Sequence, residues 1–220
     1  MTRRLVPESA DLPSELEPRR HEVVLVRHGE TDWSGAGKHT GRTDVPLNER
    51  GRREARALAG MLAGRRFALV LTSPLSRAVE TCRLAGLGDR ALVRDELAEW
   101  DYGAYEGRTT AEIRMRRPGW SLWRDGVEGG ETIAQVGARA DRLVPELEAA
   151  GADVVVFAHG HLLRVLAARW LGVEPDAGRL LALDPATISA LGFEHEWRVL
   201  RAWNERCPAP ASAPAGLAAE

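Results

Sequence analysis

The segment Leu25-Val26-Arg27-His28-Gly29-Glu30-Thr31 ends an apolar run with a guanidinium, an imidazole and a glycine. At the C-terminal mouth of a strand, such a histidine can face a phosphoryl group while the arginine beside it neutralises the phosphate oxygens. That pairing suits covalent phosphoryl transfer. An isolated Arg-His-Gly is equally well a surface histidine trailing an edge strand, so its weight depends on what the rest of the chain brings to the same place.

Three further segments carry matching chemistry. In Thr72-Ser73-Pro74-Leu75-Ser76-Arg77-Ala78, followed by Glu80-Thr81, the proline sits near a helix start, where its missing amide costs nothing. Arg77 lies about one turn further on and can point back at a strand mouth, although a solvated helix arginine is the plainer alternative. Phe157-Ala158-His159-Gly160-His161 closes a Val-rich strand with two histidines. A metal ion could use such a pair, but Arg27 and Arg77 would crowd a divalent cation with like charge and no carboxylate neighbours the two histidines. The run Glu96-Leu97-Ala98-Glu99-Trp100-Asp101-Tyr102-Gly103-Ala104-Tyr105-Glu106-Gly107 offers four carboxylates. Any of them could give a leaving alkoxide the proton it needs near neutral pH.

Together these segments resemble the signature stretches of the histidine phosphatase superfamily, the phosphoglycerate-mutase-like proteins, over about residues 21 to 203. The motifs are most similar to its acid phosphatase and sugar-bisphosphatase members. The resemblance implies an α/β fold, a three-layer α/β/α sandwich with a mostly parallel central sheet. It also implies a metal-independent phosphomonoester hydrolase that needs no cofactor, acting through a phosphohistidine on a small phosphorylated metabolite. Carried over by position, His28 is the nucleophile, and Arg27, Arg77 and His159 contact the phosphoryl oxygens. Glu99 is the proton donor in preference to Glu96, Asp101 and Glu106, the last being assigned a structural role near the Gly107 turn. The same transfer gives Ser34, Thr40, Gly41, Tyr102 and Gly160 as further substrate contacts. Ser34 departs from the asparagine commoner at its position and has a shorter reach, and Tyr102 is nearly as readily a core aromatic.

Cofactor-dependent phosphoglycerate mutases of the family carry a longer insertion over the site, so the short stretch between Glu99 and His159 favours hydrolysis, with the mutase as the alternative. A lid is expected roughly over residues 104–135, where Trp120-Ser121-Leu122-Trp123-Arg124-Asp125-Gly126 and Gly129-Gly130-Glu131-Thr132 are similar to the phosphatase members. Arg116, Arg117 or Arg124 could there meet a distal phosphate or acid group, or simply be surface arginines.

The elements that must position these residues are legible in the apolar pattern. His21–Val26, Ala68–Thr72 and Asp153–Ala158 are predicted as buried strands. Asn48–Gly64, with Gly64 as a C-cap, Leu75–Ala85 and Leu162–Leu171 are predicted as helices. Ile188–Phe193 and Trp197–Trp203 form a closing pair. Alternation of this kind predicts a parallel-rich sheet with helices on both faces and ligands beyond the carboxyl ends of the strands.

Composition sets the outer limits. A chain of 220 residues that is 44% hydrophobic can bury one sizeable core, so one domain over 21–203 is expected, between a flexible lead-in at 1–20 and a disordered tail at 204–220. A net charge of −2 gives no global basic face, so nucleic acid is not an expected partner, and an anion site must be built locally. Lys38 is the only lysine, and Cys82 and Cys207 are too few for a disulfide framework. The lead-in lacks the apolar core of a secretion signal and no run of about twenty apolar residues is present, so a cytoplasmic setting without membrane contact is expected. The Trp and Leu residues near 166–183 could be buried in the core or in a homodimer.

Overall fold

The computed structural model describes residues 21–207, so the expected lead-in at 1–20 and the tail from residue 208 lie outside the described residues. Six strands form one sheet: β1 (Val23–Arg27), β2 (Leu69–Thr72), β3 (Ala91–Val93), β4 (Val154–Ala158), β5 (Thr187–Glu194) and β6 (Trp197–Arg206). Their order is β3-β2-β4-β1-β5-β6, with β3, β2, β4 and β1 parallel and β5 and β6 antiparallel. The helices are α1 (Asp32–Gly35), α2 (Glu49–Leu62), α3 (Ser76–Leu84), α4 (Thr110–Arg116), α5 (Leu122–Asp125), α6 (Ile133–Ala149) and α7 (Gly160–Trp170). This is the mixed α/β, mostly parallel architecture expected.

The two faces of the sheet follow from side-chain alternation in the central strands. Val23 and Leu25 of β1, with Val154 and Val156 of β4, pack against α6 and α7 through Val136, Leu143, Leu162 and Leu166. Val24, Val26, Val155 and Phe157 point the other way, onto Leu58 and Leu62 of α2 and Cys82 of α3. Strands covered on both sides read as continuous apolar runs, which is why Val-Val-Val-Phe was recognisable in the sequence. Leu166, Trp170 and Leu183 belong to the first of these cores, whereas Leu180 is exposed.

Several boundaries and elements differ from expectation. β6 runs to Arg206 rather than stopping at Trp203, so the described part of the expected tail is ordered sheet. Asn204 secures it, its N–H donating to Ser189 Oγ (3.0 Å) and its side chain to Asp184 (3.0 Å). The short edge strand β3 and the helix α6 carry weaker signals. In α6 the interior Gly137 and Pro145, both poor helix formers, interrupt a pattern opened by the Thr132–Gln135 capping box. Gly64, at φ +78°, follows the end of α2 as expected.

One close approach fixes the loop that follows β1. Asn48 N–H donates to the Glu30 carbonyl (3.0 Å), its side chain to Glu30 Oε1 (3.0 Å), and its Oδ1 accepts from Gly51 N–H (2.8 Å). Gly51 thereby lies so near the chain that a Cβ there would overlap the Glu30 carbonyl oxygen. Gly51→Ala is expected to lower stability by about 1–3 kcal/mol through this overlap, read from the urea midpoint. Gly60→Ala, on the exposed side of the same helix with no atom within 4 Å of the new methyl, should instead add about 0.5–1 kcal/mol. Equal effects at the two positions would overturn the packing account.

Candidate active site

The register of the parallel strands decides which residues meet. Arg27 pairs with Ala158 and Thr72 with Phe157, while His28 N–H donates to the Ala158 carbonyl and Ser73 N–H to that of Phe157, both at 3.0 Å. Arg27-His28, Ser73 and His159 therefore leave adjacent strands at one level, at the carboxyl edge where open α/β sheets bind ligands.

His28 is buried, with Nδ1 2.7 Å from the Gly29 carbonyl. A carbonyl can only accept, so Nδ1 carries the proton and Nε2 keeps its lone pair. Burial, then the charges of Arg77 and Arg27, hold the His28 pKa well below its ordinary value. Gly29 itself is held to α3 by Thr81, whose Oγ1 accepts from the Gly29 N–H (3.1 Å) and donates to the Arg77 carbonyl (2.6 Å). Arg27 donates through Nη1 to the Leu183 carbonyl, and its buried Nε has no hydrogen-bond partner. A Cβ on Gly160 would stand 3.2 Å from Arg27 Cζ and Nε, so that glycine admits the guanidinium to the start of α7.

Arg77 is fully buried, and carbonyls rather than carboxylates satisfy it. Nη2 donates to Thr40 O (3.1 Å) and Gly41 O (2.9 Å), Nη1 to Thr43 O (3.1 Å), and Nε to His159 Nδ1 (3.2 Å). Because Arg77 can only donate, His159 must accept at Nδ1 and present Nε2–H to Ser73 Oγ at 2.7 Å. Burial and Arg77 keep this histidine's pKa well below its usual value. The His28 and His159 rings lie 5.1 Å apart. Arg77 and His159, expected as direct phosphate contacts, thus stand one layer behind the cavity wall, their donors spent mainly on protein acceptors.

Glu99 is singled out among the four carboxylates. Its Oε1 accepts from Trp100 N–H and Leu162 N–H (both 2.9 Å), and Oε2 from His161 N–H (3.0 Å). It thereby caps α7, whose own N-cap residue His159 makes no side-chain cap. A second hold comes from Arg139 of α6, which donates to the carbonyls of Glu96 (2.7 Å) and Ala98 (2.9 Å) and is paired with Glu131 (2.7 Å). The rivals have other duties. Glu106 accepts from the amides of Arg42 and Thr43, Asp101 binds Arg42 and the Gly103 amide, and Glu96 lies beside Arg142.

A cavity of about 350 Å³ opens over these groups, the low end of the range for small-molecule sites. Arg27, His28, Ser34, Thr40, Glu99, Tyr102 and Gly160 line it, as do Gly37, Thr110, Trp120, Ser121, Leu122 and Leu183. Gly41 does not. Its place is enforced by packing, since a Cβ would overlap Glu106 and the Trp100 carbonyl. Ser34 reaches the wall, but its hydroxyl is engaged with Thr31 in the cap of α1. Tyr102 does both jobs weighed for it, being 1% exposed yet lining the cavity, with its hydroxyl 2.6 Å from His161 Nδ1.

His161, His39, Trp123, Lys38, Arg114 and Arg164 complete the wall, five of them unassigned by the motifs and His161 considered only for a metal. Arg164 follows His161 by three residues on α7, a same-face spacing that could have flagged it. His159 and His161 turn their ring nitrogens to different partners, Arg77 and Ser73 against Tyr102.

The sequence family described as the histidine phosphatase superfamily, branch 1, matches residues 23–206. The chain is 44% identical over 187 residues to an acid phosphatase of Mycobacterium tuberculosis, covering 83% of this chain and 91% of that protein. It is 38% identical over 195 residues to a sedoheptulose 1,7-bisphosphatase of Saccharomyces cerevisiae, covering 74% and 70%. A solved structure of an M. tuberculosis open reading frame superimposes with a TM-score of 0.81 at 40% identity, over 86% of this chain and all of that one.

The buried neutral histidines dictate a pH dependence. His28, His159 and His161 all have pKa values pushed well below 6.5, burial being the largest cause in each. The unfolded chain therefore takes up protons first as pH falls, so the stability they contribute is intact above about 6.5 and is lost on acidification below it. Each can cost up to about 1.4 kcal/mol per pH unit there. The urea midpoint should fall between pH 7.5 and 5.5, less steeply in His161→Gln, while kcat/KM should show no break near 6.5 from His28. A midpoint unchanged over that range would contradict the neutral assignment.

Proposed function

The chain belongs to the histidine phosphatase superfamily, branch 1, and is a histidine phosphatase; we propose that it hydrolyses a small phosphorylated metabolite by way of a phosphohistidine on His28 Nε2. The observation that carries this reading is the Nδ1–H bond of His28 to the Gly29 carbonyl, which leaves the Nε2 lone pair available at a cavity also lined by Arg27 and Glu99.

In the first step Nε2 attacks phosphorus in line, the P–O bond to the alcohol breaks, and Glu99 supplies the proton that the departing oxygen needs. Its Oε2 receives a single backbone donor, against two on Oε1, and is the oxygen with room for the leaving group. Arg27 binds the equatorial oxygens with its unpartnered Nε. Arg77 adds its charge from behind and, with Ser73, fixes the His159 ring against His28. In the second step Glu99, now a carboxylate, takes a proton from water as the oxygen attacks phosphorus. The P–N bond breaks, inorganic phosphate leaves, and the neutral imidazole is restored.

Hydrolysis is favoured over phosphoglycerate mutase activity by the relatives reported, which are named as phosphatases. With guanidinium groups supplying the positive charge, neither metal nor cofactor is needed in this scheme. The partner is the small phosphorylated substrate, without nucleic acid or membrane. No helix among the described residues is long and apolar enough to cross a membrane. Two unpaired cysteines suit the reducing cytoplasm proposed as its setting.

His28→Ala should abolish turnover and acid-labile labelling by phosphate, and labelling that survives in this variant would sink the nucleophile assignment. Glu99→Gln should slow alkyl phosphates by about 10²–10⁴-fold but spare phosphoenzyme formation from an aryl phosphate, whose leaving group needs little protonation. Rapid quench should then show phosphohistidine accumulating, because the base for its hydrolysis is missing. Turnover should persist in EDTA, whereas loss reversed by zinc or magnesium would restore the His159/His161 metal reading.

A further inference from the structure

Glu99 acts first as an acid and then as a base, so its carboxylate has to keep one place relative to His28 through both steps. Yet it stands on a stretch without regular structure, residues 98–102, between two short helical turns at Asp95–Leu97 and Gly103–Tyr105. Backbone of this kind must find its hydrogen-bond partners outside helix and sheet, and those partners decide its course.

The partners come from α6 and the residues just before it. All five N–H groups of Arg139 are engaged: they reach the carbonyls of Glu96 (2.7 Å), Ala98 (2.9 Å) and Glu99 (3.4 Å) and the two carboxylate oxygens of Glu131 (2.7 and 2.8 Å). Glu131 binds the same stretch. Its Oε2 accepts from Asp101 N–H (3.0 Å), its carbonyl accepts from the Trp100 indole (2.8 Å), and its N–H donates to the Asp101 carbonyl (2.9 Å). Arg139 and Glu131 thus hold every residue from 96 to 101 except Leu97. The approach is so close that a Cβ on the neighbouring Gly130 would overlap the Asp101 carbonyl oxygen.

The ion pair is largely withdrawn from water, its side chains 13% and 14% exposed. Attraction in such a place returns little more than desolvation removes, and apolar residues of similar volume often hold a fold equally well. A lysine would keep the charge, but its three donors sit on one atom and cannot span a carboxylate and three carbonyls. What the arginine supplies is therefore geometry. Three amides hold the head of Glu99, with a single bond on Oε2, and a carboxylate can pivot about them; Arg139 holds the backbone behind it. α6 and α7 pack together in one core, so head and backbone are both referred to that pair of helices.

We propose that Arg139, together with Glu131, is a positioning residue for the proton donor. Neither lines the cavity, and they act by setting where the Glu99 carboxylate stands relative to His28 Nε2. This deepens the phosphatase reading and rests on the role given there to Glu99.

The charge of Arg139 is felt as far as His159, so a test of geometry has to keep it. Arg139→Lys does so while removing the clasp, and Glu131→Gln is a milder second variant. Rapid quench gives the rate of phosphoenzyme formation from 4-nitrophenyl phosphate and from the fastest of three alkyl esters, 3-phosphoglycerate, glycerol 3-phosphate and fructose 1,6-bisphosphate. The first readout is the alkyl-to-aryl ratio of these rates, which does not depend on how much of a variant is folded. The second is the share of enzyme standing as phosphohistidine during steady turnover of the aryl ester, where Glu99 is needed as base.

Arg139→Lys should lower the ratio by about 10–10²-fold, the effect of a small displacement of a reacting group, and Glu131→Gln by a smaller factor. Both should accumulate phosphohistidine. Placed in the Glu99→Gln background, Arg139→Lys should change the ratio by no more than about twofold, because the group it positions is already disabled. An unchanged ratio without accumulated phosphohistidine, or the same fall with and without Glu99, would overturn the positioning role and leave the phosphatase reading standing. Should Arg139→Lys not fold, Glu131→Gln decides by the same two readouts. If Glu99→Gln alone neither lowers the ratio nor accumulates phosphohistidine, the role of Glu99 fails and this proposal with it.

Discussion

The burial of Arg77 is the constraint on which the rest of the site depends. A guanidinium withdrawn from water must place its donors or forfeit several kcal/mol. Here the acceptors are the carbonyls of Thr40, Gly41 and Thr43 and the Nδ1 of His159. Satisfying Arg77 therefore shapes the loop after α1 and fixes the tautomer of His159. Because, among the described residues, no carboxylate lies closer than Asp44, at 3.9 Å, most of its positive charge stays available to the cavity beside it. Burial first, and then that charge with Arg27's, keep His28 neutral, and hence nucleophilic, well below the usual pKa of a histidine.

A second consequence is that the two ends of the reaction are mounted on different parts of the fold yet share one helix. His28 hangs from the end of β1 and is held through Gly29 and Thr81 to α3. Glu99 comes from an irregular segment that Arg139 clasps by its carbonyls, and it is seated on the first amides of α7. The same helix begins with Gly160, where the absent side chain admits Arg27, and presents His161 at the next residue and Arg164 about one turn later to the cavity. Nucleophile, proton donor and leaving-group wall are thus referred to a common rigid element, which limits how far they can drift apart.

The glycines make this compactness possible. Gly51 lets α2 lie against the loop after the nucleophile, and Gly41 lets the Arg77-bound loop lie against Trp100 and Glu106. Each marks a place where two backbones, or a backbone and a carboxylate, approach closer than a methyl group permits.

The sequence by itself determined the central strands, α2, α3 and α7, and the meeting of Arg27 and His28 with one of four carboxylates. These rest on local signals: continuous apolar runs for strands buried on both faces, helical spacing, and short motifs whose residues are neighbours in the chain. α6 was less legible because Gly137 and Pro145 interrupt its period, and β3 because three residues are too few to show one. Only the tertiary structure decided which of the four carboxylates faces the cavity, because the choice turns on amides supplied some sixty residues later by α7. It also moved Arg77 and His159 behind the wall and Gly41 into a packing role, and put Arg114 and Arg164 rather than Arg116, Arg117 and Arg124 on the cavity wall. Residue type and spacing reveal what a side chain can do. Its direction is set by strand register and by acceptors distant in the chain, and those exist only once the sheet has formed.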